Sequence, residues 1–576
     1  MNKPMELYRM QVSEMQRRLA QKATTTPEHQ FRNLYDLLTW PALLEYAFDQ
    51  LMTNKGSRTA GIDGMDKRTA IRNKANILSN LRAALKTQTY RHQPVRRIYI
   101  PKGDNRQRAL GVPTLIDRLV QMMIKAIMEP IFESDFLPCS HGFRPGLSCH
   151  TAMAHLHLMT APRQKKLHWI IEGDISACFD HVQHKTLMRL LKRRIQDRKL
   201  LNLIWQMLKA GIMEDALFKK TLEGTPQGGI ASPLLANIYL HELDRWFQDN
   251  YVGLNYNEKN RRRQRKEGNA FYLRYADDFI VAWNGSKAKA ETLKTELSEF
   301  LHDELGLELS QAKTHITHVT QGYDFLGFTV RRILARPNGY NQLLIYPSKK
   351  SVMKMKRKLK DMTRPNTTLC SVQDKIHALN LLLLGWANYF KHSCASQTFS
   401  YIGSYAFKRM EFWLVRKTNQ RVRRVYREYY RRHNNILTWV SGSQALLPLG
   451  STVKINRTKF RYRPNPYLGT KGFNEFPDHL DPYPGKRNWQ GFDGYGENWS
   501  EVREQVRNRD GNRCRICNSD ERIEVHHLRK HQPKRKHDTT KLITLCMNCH
   551  RKARDPQSNV SRQLSRLSLA LESRVR

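Results

Sequence analysis

Residues 271–283, FYLRYADDFIVAW, constrain this chain more than any other stretch. Two short runs of aromatic and branched side chains flank adjacent carboxylates, Asp277 and Asp278. Such runs suit a pleated, half-buried surface, so the stretch predicts two strands of a tight hairpin with the acids at its tip. Directly beside the pair there is no basic residue, and two like charges so placed repel each other and disfavour their ionised forms. A divalent cation between them relieves that repulsion. Oxygen ligands alone at a small exposed turn suit Mg²⁺, which keeps several waters and shares itself with substrate phosphates. An ordinary solvated acidic turn is the other reading of the same residues.

Upstream, residues 168–174, HWIIEGD, form an apolar run that ends in Asp174. If that run is the neighbouring strand, Asp174, Asp277 and Asp278 converge on one point. Three convergent carboxylates equip a two-metal phosphoryl transfer. One ion activates an attacking 3′-hydroxyl, and the other holds a triphosphate and its leaving pyrophosphate.

Further blocks follow in a fixed order: AGIDG (60–64), RALGVPTLIDRLVQ (108–121), SHGFRPGLSCHTA (140–152), GTPQGGIASPLLANIYL (224–240), YADD (275–278), LGLELSQAKT (305–314) and YDFLGF (323–328). Together with Asp174 they resemble a reverse transcriptase, and in particular the group II intron-encoded proteins, or intron maturases. The resemblance implies an α+β multidomain chain. It would have a right-hand polymerase with fingers and a palm carrying the catalytic hairpin, an α-helical thumb or maturase (X) region, and a small ββα zinc-containing HNH domain. It also implies roles for single residues. Lys102 and Arg108 would reach the incoming triphosphate, where cations offset charge building on the transferred phosphate. For Lys102, a plain surface lysine is the alternative. Phe179 would lie under the sugar and exclude a 2′-hydroxyl, or simply be core. Gln227, in GTPQGG, would lie beneath the nucleotide and template base. Lys313 would protonate the leaving pyrophosphate, which requires a positioned donor. The turn-forming GFRPG at 142–146 would shape the template path.

A chain of 576 residues exceeds one core and predicts roughly three or four domains. Its net charge of +46 opposes compaction by self-repulsion unless a polyanion neutralises it. Nucleic acid is the expected polyanion, with binding that weakens steeply in salt. No apolar window of about 18 residues suggests a membrane span, and the start, MNKPMELYRM, lacks the pattern of a signal or transit peptide.

Residues 1–60 have helical spacing, and their Gln- and Arg-bearing segment 10–23 either lies on RNA or serves solubility. Residues 61–345 would be fingers and palm, with 257–268, NEKNRRRQRKEG, a charged loop that is flexible or RNA-contacting. Residues 346–445 read as helical thumb, with an apolar stripe at Ile376, Leu379, Leu383, Trp386 and Phe390. The run FWLVRKTNQRVRRVYREYYRRH interleaves arginine with tyrosine, which suits phosphate pairing and base stacking. Residues 446–500, rich in Pro, Gly and aromatics, are a linker or an irregular DNA-contacting segment.

Residues 501–560 hold two CxxC pairs, Cys514/Cys517 and Cys546/Cys549, with 28 residues between them. That is zinc spacing: each pair forms a knuckle, and four thiolates complete a tetrahedron. The remaining cysteines are scattered, a reduced pattern rather than a disulfide framework. His526-His527 follows an apolar run and His550 follows Cys549. This tail resembles an HNH nuclease, in which His526 and His550 would bind one catalytic divalent ion, expected to be Mg²⁺, and His527 would take a proton from water. Substitution of His550 for one cysteine on the zinc is the alternative ligand set. Lys541 stands where the family often has an orienting asparagine, which puts the cleavage rate in doubt. Residues 561–576 are a C-terminal tail.

The implied whole is a multifunctional protein: RNA-directed DNA polymerase, splicing cofactor and site-specific DNA endonuclease acting in target-primed reverse transcription. Its partners would be intron RNA, double-stranded target DNA and deoxynucleoside triphosphates, without a membrane, in the bacterial cytoplasm as a nucleoid-associated ribonucleoprotein. The alternatives are a splicing-only maturase, or a retron-type or other reverse transcriptase with an appended nuclease.

Overall fold

The computed structural model describes residues 3–101, 107–160, 167–214, 217–219, 224, 228–334, 341–455, 465–468, 499–521, 523–527, 542–553, 559–560 and 563–564. The chain divides into two compact units, Met1–Pro484 and Gly485–Arg576. Among the described residues no helix is long and apolar enough to cross a membrane.

In the first unit, eight strands build two sheets: β1 (Val95–Pro101), β2 (Gln107–Val112), β3 (Trp169–Asp174), β4 (Ile212–Glu214), β5 (Leu217–Lys219), β6 (Ala270–Tyr275), β7 (Asp278–Trp283) and β8 (His315–His318). One sheet has the order β2-β1-β4-β5, the other β6-β7-β3-β8. The second sheet has apolar side chains packed on both faces. Ile171, Phe279, Val281 and Trp283 join one buried cluster, while Ile170, Ile280 and Ala282 join another. Side chains alternate faces along a strand, so burial of both faces produces the unbroken apolar runs seen in the sequence. The first cluster includes the helix Leu115–Phe132 and the N-terminal helices; the second includes the helices Val372–Phe390 and Ser396–Thr418.

Segment 10–23 lies in the helix Lys3–Thr25, which buries Val12, Ala20 and Ala23 and donates a bond from Gln16 Nε2 to the Ala126 carbonyl. That face is core, and Gln11, Arg17 and Arg18 remain exposed. Two readings from the sequence need correction, those of 257–268 and of the end of the thumb region. The stretch 257–268 is largely the helix Tyr256–Gln264 rather than a loop. Asn255 caps it by accepting from Glu258 N at 2.8 Å, and acid at its start with arginines at its end complements the helix dipole. The charge run masked these end signals.

The thumb region is not helical to its end. After the helix Val422–Tyr429 come β12 (Tyr430–His433), β13 (Ile436–Ser441) and β14 (Gln444–Ala445), a three-stranded antiparallel sheet that follows β9 (Tyr323–Phe325), β10 (Phe328–Leu334) and β11 (Asn341–Pro347) in chain order. Asn434 and Asn435 both take positive φ between β12 and β13, the two-residue turn that matches strand twist. Trp439, fully buried on β13, anchors the sheet by donating to the Phe407 carbonyl and stacking on its ring.

In the second unit, β15 (Ile523–His527) pairs antiparallel with β16 (Leu542–Cys546), and the helix Met547–Lys552 follows directly.

Candidate active site

Asp174 is the last residue of β3 and Asp278 the first of β7, and they stand directly opposite each other in the antiparallel register. Residues so paired point to one face, with Cα atoms about 4.5–5.5 Å apart. Asp277 sits in the two-residue loop joining β6 to β7, after Ala276, whose φ is +59°. A positive φ in this loop lets the hairpin follow the twist of its strands. Behind the acids, Cys178 is buried; burial first, and then the charges of Asp277 and Asp174, push its thiol up to about 12.

A base does stand at this site, contrary to the isolation of the acids in sequence. The 305–314 segment runs alongside the end of β3: Ser176 N donates to the Glu308 carbonyl and Ser310 N to the Asp174 carbonyl. A tight turn then brings Lys313 N to the Ser310 carbonyl at 3.0 Å, and Lys313 Nζ pairs with Asp174 Oδ2. The Lys313 side chain remains 57% exposed, so its ammonium faces open space as well as the carboxylate. Phe179 is half-buried in the turn that follows β3, closed by the Asp180 N–H bond to the Ala177 carbonyl. Gly224, opening the GTPQGG block, lies against that turn, where a Cβ would come 2.8 Å from the Asp180 carbonyl oxygen. Arg108 stands on β2 opposite Ile100 of β1. Lys102, Gln227 and Lys541 lie outside the described residues.

Other blocks prove to be buried framework. Arg144 of GFRPG is enclosed, with Nη2 2.7 Å from Glu133 Oε1 and Nη1 donating to the Leu137 and Ser140 carbonyls. The neighbouring Phe143 is exposed. Asp117, in the 108–121 block, accepts from Tyr90, His92 and Thr114. Burial alone would raise its carboxyl, yet those partners together hold it below the ordinary value.

Sequence reading missed Arg274 and Asp244. Both have fully buried side chains, joined by Arg274 Nε to Asp244 Oδ1 at 2.7 Å and Nη2 to Oδ2 at 2.6 Å. The only sequence signal was an arginine inside an otherwise apolar strand.

In the second unit the sulfur atoms of Cys514, Cys517, Cys546 and Cys549 lie within 4.8 Å of one another. Zinc–sulfur bonds of about 2.3 Å in a tetrahedron separate the sulfurs by about 3.8 Å, so the cluster fits a structural zinc ion. Beside it, the His526 and His550 rings are 4.9 Å apart, and His550 Nδ1 lies 2.8 Å from Glu524 Oε2. Glu524 was also missed, although its place two residues before His526 on one strand face was a usable signal. His527 pairs with Leu542 across the two strands.

The sheet β6-β7-β3-β8 brings Asp174 and Asp278 together at the ends of its two central strands, within a region whose family match gives its class, reverse transcriptase. Residues 100–330 match the model for reverse transcriptase (RNA-dependent DNA polymerase), and residues 352–430 match that for the group II intron, maturase-specific domain. The chain is 38% identical over 352 residues to protein YkfC of Escherichia coli K12, covering 58% of this chain and 92% of that one. It is 37% identical over 361 residues to the group II intron-encoded protein LtrA of Lactococcus lactis subsp. cremoris, covering 54% of this chain and 59% of LtrA. An uncharacterized 91 kDa protein in the cob intron of Schizosaccharomyces pombe is 33% identical over 346 residues, covering 52% and 41%. The chain belongs to the group II intron reverse transcriptase/maturase family.

Proposed function

We propose that this protein binds its intron RNA, assists its splicing, and copies it into DNA from a nicked target, with the C-terminal unit making the nick. The observation that carries the polymerase reading is the opposition of Asp174 and Asp278 across β3 and β7, with Asp277 in the adjoining loop. These three carboxylates would hold Mg²⁺, which when bound lowers the pKa of a primer hydroxyl and neutralises phosphate charge. Asp174 and Asp278 hold their common direction because the sheet fixes both backbones. Lys313, whose Nζ pairs with Asp174, would donate a proton to leaving pyrophosphate. Arg108 and Lys102 would pair with the triphosphate, Gln227 would lie beneath the template base, and Phe179 would close the space a 2′-hydroxyl needs. Primer extension on an RNA template tests this: Asp277→Asn abolishes synthesis while retaining RNA binding. Wild-type synthesis by that variant would remove the assignment. Sequencing RNA that copurifies with the protein separates an intron partner from the retron-type alternative.

The nuclease reading rests on the tail's pattern. Two strands and a helix carry His526, His527 and His550 beside four clustered thiols. Zinc would hold the two knuckles together. His526 and His550 would take a divalent ion, expected to be Mg²⁺, and His527 would accept a proton from water at the scissile phosphate. Substituting His527→Ala should abolish nicking of target DNA while DNA synthesis continues; loss of both together would mark folding damage. The setting for these activities is the bacterial cytoplasm, on nucleoid DNA.

A further inference from the structure

The catalytic loop is gripped from beneath by residues that the polymerase reading leaves without a role. Arg274 lies on β6, two residues before Ala276, and its side chain is fully buried. A guanidinium has five N–H donors in a rigid plane, and here every one is engaged. Nε and Nη2 hold the Asp244 carboxylate. Nη2 also donates to Ser140 Oγ at 2.9 Å, and Nη1 to Asn237 Oδ1 at 3.1 Å. The fifth bond runs from Nη1 to the Ala276 carbonyl at 2.8 Å. That carbonyl belongs to the peptide plane containing the nitrogen and Cα of Asp277, so holding it fixes the N–Cα bond about which the Asp277 side chain is oriented.

The preceding peptide plane is held as well. Gly142 packs so closely that a Cβ there would come 2.3 Å from Ala276 N and 3.0 Å from the Tyr275 carbonyl carbon. Asn237 joins the two contacts, accepting from Arg274 and donating from Nδ2 to the Gly142 carbonyl at 2.8 Å. The segment carrying Gly142 is itself tied to β6, with Arg274 N donating to the Cys139 carbonyl and His141 N to the Arg274 carbonyl. Both peptide planes flanking the positive-φ Ala276 are thus clamped by a fully bonded, buried network.

We infer that Arg274, braced by Asp244 and Asn237 and helped by the close packing of Gly142, is a positioning residue that presets the Asp277 carboxylate for divalent-ion binding. Asp244 sets the plane of the guanidinium through two bonds along one edge, so the bond to Ala276 has little freedom to rotate. Lysine, with three donors and no planar fork, keeps the charge beside Asp244 but cannot reproduce the geometry.

This inference rests on the polymerase reading, and the test separates the two. The full-length protein is titrated with Mn²⁺ alone, with free ion followed by electron paramagnetic resonance, and Asp277→Asn identifies the binding that belongs to the loop. Arg274→Lys and Gly142→Ala are compared with wild type, with fold monitored by circular dichroism and thermal melting. The first removes the bond to Ala276 while keeping charge; the second crowds the Tyr275–Ala276 peptide with no change of charge. Both should bind Mn²⁺ at the Asp277-dependent site about tenfold more weakly while remaining folded, since partners that orient metal ligands are worth 10–100-fold in affinity. Higher Mg²⁺ should restore primer extension by both. Should either folded variant bind Mn²⁺ as wild type does, or neither variant fold, Arg274 and Gly142 serve structure only and the inference fails. If the wild type has no Asp277-dependent binding, the polymerase reading itself fails.

Discussion

Gly173 offers the sharpest quantitative test of how the carboxylates are positioned. It precedes Asp174 on β3 and stands opposite Phe279, which follows Asp278 on β7. The Phe279 ring is buried and lies across the glycine. A Cβ added at residue 173 would fall 2.0 Å from Phe279 Cζ and 2.2 Å from Cε2, and raising the first distance to the 3.4 Å of ordinary contact takes a displacement of about 1.4 Å. The ring cannot move outward freely, because Tyr272 lies beside it with centroids 6.0 Å apart. Overpacking of this kind costs about 1–3 kcal/mol of stability. The strain falls between the two residues carrying Asp174 and Asp278, and a misplacement of about 1 Å is worth roughly 10²-fold in rate. Gly173→Ala should therefore lower the urea midpoint and slow single-nucleotide primer extension by about 10²-fold. Phe279→Leu, which removes the clashing ring atoms, should restore much of both in the double variant, with a coupling of at least about 1 kcal/mol. Strictly additive effects, or a Gly173→Ala protein with wild-type rate and midpoint, would refute the packing argument.

Three further outcomes follow from the same geometry. Lys313→Met should reduce nucleotide incorporation by about 10²-fold with little effect on RNA binding, as measured by single-turnover extension and filter binding; an unchanged rate would exclude proton donation from this side chain. Asp117→Asn should destabilise by about 2–4 kcal/mol, because three donors lose a charged acceptor in a buried site. Since the folded Asp117 carboxyl titrates below its ordinary value, its stabilising contribution is complete above the unfolded value of about 3.9 and disappears as pH falls through the folded one. The gap between wild-type and Asn melting temperatures should accordingly close in that acid range. Removal of zinc by a chelator should make the Gly485–Arg576 unit protease-sensitive and release close to one ion per chain by colorimetry; undiminished resistance would exclude a structural metal.

Strand and loop positions around the acids were legible because their signals are local. Both faces of β3 and β7 are buried, so the segments are apolar throughout, and the acids interrupt the pattern where the strands end. The CxxC pairs were equally readable, since two knuckles impose their own spacing. Signals that depend on competing local preferences failed. Charge obscured the cap of the helix Tyr256–Gln264, and the basic run after residue 411 concealed a change from helix to strand at Tyr430.

By itself the sequence determined which side chains are present, where the apolar periods change, and which blocks follow one another along the chain. Those properties depend on neighbouring residues and survive without a fold. Only the tertiary structure decided that Asp174 faces Asp278, that Lys313 rests on Asp174, and that Arg274 turns inward to hold the Ala276 carbonyl. Strand register and burial set these pairings, and both arise from packing between segments far apart in sequence, where no local preference can encode the partner.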